Sequence, residues 1–376
     1  MQIILKPMGA ITVVAAFLLM MGVVLYAPVK AWMAARAPRA QEDMLIVSDA
    51  AKKGWLHDQI YRFNIENEGR LHVTEKVMDT RDALQAILNG KEEPVLWATS
   101  GGDWVPALGD AWVRSHPSAP PLVTPNDSAT FRTFLRTPLV FLARADKVAA
   151  LRHTLGAGGS AWGALHDAAG SASPLRFSYP DPRGSNCGFA TLGMFLSDYA
   201  RRANRAGDLQ AAANDPAFVS YLRAMQPGFV ASADQDDASA LCAAFADGKL
   251  PADLVVVYES DALAVCTRHP ELAVIYPAPT VVAGQSVAVI GGAGTTPAQR
   301  AGARAFLDFL SGDASVADGV REHFRPAQET AALSLAPQIR ARQGQGFAET
   351  YTEMPVPPYA AVNDADFQWH TNIAKR

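Results

Sequence analysis

The chain has 376 residues, 49% of them hydrophobic and 19% charged, a balance that suits a folded protein of about two domains and excludes a disordered one. Its formal net charge is −4 with Lys and Arg scattered along it, so it carries no basic footprint for nucleic acid. The eight histidines and three cysteines show no paired metal-ligand spacing, which predicts neither a metal nor another cofactor.

Residues 8–27 contain no charge and follow Lys6. At about 1.5 Å per residue this run is long enough to span a bilayer as a helix. It also exceeds the apolar core of about 7–15 residues usual in a cleaved signal peptide. It therefore reads as an uncleaved transmembrane anchor, with cleavage after Ala31 or Ala37 as the alternative. Lys30, Arg36 and Arg39 on its far side slightly favour a cytoplasmic body by the positive-inside rule. The body itself argues for the periplasmic side, as set out below.

After an Ala- and Arg-rich linker ending at residue 43, residues 44–47 read as a buried strand ending in Ser48-Asp49-Ala50. A helix with Trp55, Ile60 and Phe63 facing inward follows, then a strand at 71–77. Asp79 or Thr80 can cap a helix over 81–88, which Asn89-Gly90 closes. Residues 94–98 form another apolar strand, ending in Thr99-Ser100-Gly101-Gly102. Strands alternating with helices predict βαβ units and a mainly parallel sheet, in which ligands gather beyond the strands' C-terminal ends. That is the physical reason to single out Ser48 and Ser100, although serines are also common turn residues.

Residues 137–145 are β-rich, 162–168 helical, and 175–178 a strand. The segment Tyr179-Pro180-Asp181-Pro182-Arg183-Gly184-Ser185-Asn186-Cys187-Gly188 comes next. Its prolines break the preceding element, its glycines allow a tight bend, and Ser185 and Asn186 are good N-cap residues. Phe189, Leu192, Phe195 and Tyr199 then recur at helical spacing, so a helix starts at about Asn186. Its first turn presents unpaired backbone N–H groups that, with Arg183, can hold a carboxylate, oxyanion or phosphate. The plainer reading is an ordinary capped helix.

A helix over 238–246 ends at Asp247-Gly248, and a β-branched strand over 254–257 ends in Tyr258-Glu259-Ser260-Asp261. Another extended segment spans 285–290, and a closing helix over 297–310 is expected to bury Ala301, Ala305, Phe306 and Phe309. Residues 331–376, rich in Pro, Gln and Ala, read as a looser tail over the surface.

Cys242 and Cys266 can pair in an oxidising compartment, with buried free thiols as the alternative. Cys187 at a helix start could act as a nucleophile only with a base, and no His lies near it in sequence; His153 and His166 read as ordinary surface or helix residues. No enzymatic activity is expected. Asp234, Asp236 and Asp237 lack the ligand pattern of a calcium loop and read as a solvated helix start.

The order of these pieces resembles the type II bacterial extracellular solute-binding proteins. It is most similar to the solute-binding module found ahead of von Willebrand factor A domains. The resemblance covers about 44–327 and rests on six pieces in order. These are Ile46-Val47-Ser48, the 94–100 strand with Trp104, Pro138-Leu139-Val140, the 180–188 loop, Val257-Tyr258-Glu259-Ser260, and Phe324-Arg325-Pro326-Ala327. Met354-Pro355-Val356-Pro357-Pro358 followed by Trp369 also fits. Cys187 and the loop after Trp97 depart from the expected pattern.

The resemblance implies an α/β, two-lobed fold with two crossover hinge strands, at 137–145 and 285–290. Lobe one would comprise 44–136 and 286–330, and lobe two 137–285. A small, anionic solute would sit between them, held by Ser48 and Ser100 from one lobe and Arg183, Ser185, Asn186 and Tyr258 from the other. Glu259 would disfavour an anion unless it pairs with Arg183 or the ligand is cationic. The partners implied are an ABC-type permease or a sensor, and the location is the periplasmic face of the bacterial inner membrane. The alternative is a tethered interaction module without a small-molecule ligand, serving a separate von Willebrand factor A protein.

Overall fold

Runs of consecutive apolar residues form strands here because helices cover the sheets on both faces. The computed structural model describes residues 41–101, 103–156, 159–232, 237–292 and 294–373. Among them nine strands occur: β1 (Glu42–Ser48), β2 (Leu71–Val77), β3 (Leu96–Ser100), β4 (Phe131–Arg144), β5 (Phe177–Ser178), β6 (Leu254–Tyr258), β7 (Leu272–Ile275), β8 (Val282–Val289) and β9 (Arg325–Pro326). The anchor expected at 8–27 lies outside the described residues. No helix within them is long and apolar enough to cross a membrane.

The 14-residue strand β4 belongs to two sheets. Its residues 131–138 pair antiparallel with β8, beyond which lie β3, β1 and β2. Its residues 139–144 pair antiparallel with β6 and β7, and β5 joins β6 in parallel. Successive residues of each strand serve opposite cores. Ile46 packs with Trp55, Phe63 and Phe306, whereas Val47 belongs with Trp97, Trp104 and Leu108. In the other sheet, Leu254 and Val256 share a core with Phe141, Trp162 and Phe195, while Val255 and Val257 join Leu241, Phe245 and Leu263.

The mixed α/β reading therefore holds, with three local differences. Strand β4 begins at Phe131 rather than 137, because its first half is paired to β8. The helix Pro297–Leu310 buries Gly302, Ala303, Phe306, Leu307 and Leu310, while Ala301 and Ala305 are exposed. The stripe is turned by one residue because Gly302 approaches β1 and β2 closely. A Cβ there would lie 2.9 Å from Leu71 and Met44 side-chain atoms.

The third difference is the C-terminal region, which is no loose tail in its described part. It contains the helices Ala336–Ala341 and Tyr359–Asn372. Ala361, Val362, Ala365 and Trp369 recur at helical spacing and are buried.

Arg325 of β9 and Glu259, which opens the helix Glu259–Cys266, form a buried bidentate pair. Nε and Nη2 each lie 2.7 Å from a carboxylate oxygen. Nη1 and Nη2 also donate to the carbonyls of Glu349 and Ala348, and the Tyr276 hydroxyl donates to Glu259. This pair connects a strand of one sheet to the end of a strand in the other, and it removes Glu259 from consideration as a ligand contact or a partner of Arg183. Replacing one member strands the other charge in the core, which typically destabilises by about 3–5 kcal/mol. Arg325→Met should lower the urea-unfolding free energy by that amount; a loss below about 1 kcal/mol would mean the pair is not structurally important.

Candidate functional site

The carboxylate of Asp49, one residue past β1, is the organising group of the site. It accepts hydrogen bonds from Lys52 Nζ at 3.0 Å, the Ser100 backbone N–H at 2.7 Å, Ser100 Oγ at 2.9 Å and Thr80 Oγ1 at 3.2 Å. Asn186 Nδ2 approaches it at 3.3 Å and donates to Thr80 Oγ1 at 2.7 Å. Lys52 is fully buried, and Nζ also donates to Ser100 Oγ at 3.1 Å. Burial pulls the Lys52 pKa below its ordinary value, against the opposing pull of Asp49.

Asn186 comes from the other side of the molecule. It is the first residue of the helix Asn186–Arg202, whose buried side chains Leu192, Phe195 and Leu196 pack in the core beside β5 and β6. Ser185 before it is extended, at φ −143° and ψ 129°, and its side chain makes no cap bond, so the helix start is not closed by its own N-cap. Gly188 is required by close approach: a Cβ there would stand 2.1 Å from the Pro180 carbonyl oxygen. The loop thus folds onto the helix and aims Asn186 at Asp49.

A cavity of about 240 Å3 opens beside this junction. Asp49 and Asp79 line it from the first sheet's side, and Ser185, Asn186, Tyr258 and Asp261 from the second. Asp237 also reaches it, though its Oδ1 caps the helix Ala238–Ala246 as the sequence predicts. Asp234 and Asp236 lie outside the described residues. Beyond Asn186 the space between Ser100, Trp104 and Phe189 is filled by Val356, Pro357 and Tyr359 of the C-terminal region. Tyr359 sits 5.0 Å from the Trp104 ring and 5.8 Å from Phe189. A larger cavity of about 420 Å3 lies against Tyr179, Phe229 and Trp369, away from the ends of β1, β3 and β6.

Of the six residues expected to bind solute, three line the 240 Å3 cavity: Ser185, Asn186 and Tyr258. Ser100 is buried behind it, its Oγ engaged with Asp49 and 2.7 Å from Gln285 Oε1. Ser48 is directed elsewhere, donating to Glu75 Oε1 at 2.6 Å. The Arg183 side chain is 54% exposed, with Nε 3.7 Å from Asp366. It turns outward because the C-terminal helix, absent from the sequence reading, supplies a carboxylate there. Asp49, Lys52, Thr80 and Asp261 were missed as site residues.

Cys187 lines the cavity wall but its thiol is buried, and burial pushes its pKa well up, the reverse of what a nucleophile needs. All three cysteines are buried free thiols, so Cys242 and Cys266 are unpaired. His166 approaches the Tyr221 carbonyl oxygen at 3.0 Å and stacks on the Tyr221 ring.

Two sheets sharing one long strand, with the ends of β1 and β6 meeting at a polar cavity, define an α/β fold with a candidate binding site between its sheets. Residues 44–318 match the family model for bacterial extracellular solute-binding proteins, and the chain belongs to that family. No curated protein sequence matches it. Among solved structures it is similar to the sulfate-binding protein SubI from Mycobacterium tuberculosis, with a TM-score of 0.51 at 14% identity over 85% of this chain and 96% of that one. It is similar to the substrate-binding protein of an ABC transporter from Agrobacterium tumefaciens, with a TM-score of 0.54 at 17% identity, covering 90% and 96% of the two chains. It is also similar to the periplasmic binding protein AfuA from Actinobacillus pleuropneumoniae, with a TM-score of 0.57 at 13% identity, covering 89% and 100%. At these identities the likeness is one of fold.

The C-terminal helix is held to both sides of the site by charge. Arg81, from the helix Thr80–Leu88, donates to Asp366 at 2.6 Å. His370 Nε2 lies 3.2 Å from Asp366 and 3.4 Å from Asp181 of the loop before Asn186. Burial pulls the His370 pKa down, but the two carboxylates outweigh it and raise it above 6.5. A raised folded-state pKa means stabilisation fully present below about pH 6.5 and lost as pH rises through the folded value. The excess thermal stability of wild type over His370→Ala should therefore shrink as pH rises above about 6.5. A difference that stays flat or grows with pH would rule this out.

Proposed function

We propose that the protein captures one small solute in the 240 Å3 cavity, by closing two lobes built around the two sheets. The observation that carries this reading is the hydrogen bonding of Asn186 to Asp49 and Thr80. It joins elements packed on different sheets directly beside a polar cavity. A solute seated there touches both sides and favours the closed arrangement over an open one. β4, shared by both sheets, and the chain running into β8 would serve as the hinge.

Membership of the solute-binding family and similarity to a transporter's substrate-binding protein support a transport role with a permease as partner. The apolar run at 8–27 supports attachment to the bacterial inner membrane, with the body in the periplasm. For the expected anionic group on the solute, the open start of the Asn186 helix beside Ser185, rather than Arg183, is among the described residues the one suitable feature of a wall otherwise lined by carboxylates. Service to a separate von Willebrand factor A protein without a solute is the reading that a protein with an empty, unresponsive cavity would leave.

A thermal-shift screen of the full-length chain against sulfate, phosphate, carboxylates, amino acids and sugars tests the reading. A solute present at about 100 times its dissociation constant adds roughly 2.7 kcal/mol. Asn186→Ala should weaken the response by about tenfold in affinity, the loss of one good hydrogen bond. No shift with any compound, or a shift that Asn186→Ala leaves untouched, would contradict capture at this cavity.

A further inference from the structure

The cavity wall carries the opposite charge from the one that an anion site requires. Asp49, Asp79, Asp237 and Asp261 line it, and none of the described residues lining it is Lys, Arg or His. The buried Lys52 is occupied by Asp49 and Ser100. Two of the carboxylates are engaged locally, Asp79 and Asp237 each capping a helix, and Asp49 is saturated by donors. The half-buried Asp261 side chain makes no hydrogen bond or ion pair among the described residues. Its pKa is raised to about 7, first by burial and then by the nearby charge of Asp237. A half-buried carboxylate that faces other carboxylates and no cation is unfavourable, and a ligand cation would relieve it.

A second observation points the same way. Tyr258 is 3% exposed, lines the cavity, and its hydroxyl has no hydrogen-bond partner among the described residues. The rest of the side chain is enclosed, so the hydroxyl is the part of Tyr258 left for a partner in the cavity. It shares the cavity lining with Asp49 and Asp261, and its oxygen can accept a hydrogen bond from a donor held there.

We infer that the solute carries a protonated amine, held by Asp261 and by Tyr258 as a hydrogen-bond acceptor. The inference rests on the solute-binding reading and specifies the chemical class for the same cavity. The open start of the Asn186 helix is free to take a carboxylate on the same molecule, so the amine can belong to a simple polyamine or to an amino acid.

Isothermal titration of the full-length chain with putrescine, spermidine, L-lysine and L-arginine, and with sulfate, molybdate and glucose, tests it. At least one amine should bind. Asp261→Asn and Tyr258→Phe should each weaken it by about tenfold or more, with the fold verified by thermal melting. Asp110→Asn, on an exposed helix position, should leave the affinity unchanged. Preference for putrescine or spermidine identifies a polyamine, and preference for lysine or arginine an amino acid; either supports the inference. Binding of sulfate, molybdate or glucose with no amine bound overturns the inference and leaves solute capture standing. Amine binding that neither variant weakens also overturns it. Silence across the whole panel overturns both.

Discussion

A carboxylate buried where two sheets meet must be neutralised and hydrogen-bonded, and at Asp49 this requirement organises the site. Its donors come from the 3-10 turn after β1, from the end of β3, from the start of the helix at Thr80 and from Asn186. Each contact fixes where one strand or helix ends. Lys52 alone does not offset the desolvation of both ions, and the bonds to charged groups, typically about 1.5–3 kcal/mol each, supply the remainder. The pair is therefore better understood as a device for geometry than as a source of stability.

The Glu259–Arg325 pair plays the matching part on the far side of β6. Between the two, the end of β6 is held so that Tyr258 faces the cavity while Glu259 faces away from it. Adjacent residues at a strand end point to opposite sides, so one carries a structural ion pair and its neighbour remains available to a ligand. The C-terminal helix adds a third restraint, filling the end of the cleft beside Trp104 and leaving the Asp261 end open. The shape of the cleft is thus set partly by a segment distant in sequence from the strands that line it.

Elements with local signals were legible in the sequence. β2 and the helix Ala238–Ala246 have the expected bounds, because apolar spacing and a capping Asp mark them. The helix start at Asn186 followed from the Ser-Asn pair and the helical spacing of Phe189, Leu192, Phe195 and Tyr199 after it. Contacts between distant segments were not legible. Ser48 looks like any serine after a strand until β2 brings Glu75 beside it, 27 positions away. Arg183 belongs to Asp366 only once the C-terminal helix is in place, and that helix was hidden by a composition typical of linkers. Lys52 and Asp49 read as ordinary polar residues, because nothing in a single sequence distinguishes a buried ion pair from a solvated one.

The central claim is that bonds from Asn186 hold the two sides of one cleft together. Nitroxide labels introduced by Val113→Cys and Lys249→Cys lie on exposed positions on opposite sides of the cleft, and the native thiols are buried and spared from labelling. Pulsed electron–electron distance measurements would then compare this protein with its Asn186→Ala counterpart, both without added solute. The account predicts a short-distance population that Asn186→Ala shifts to longer, broader separations. Indistinguishable distance distributions in the two proteins would contradict it.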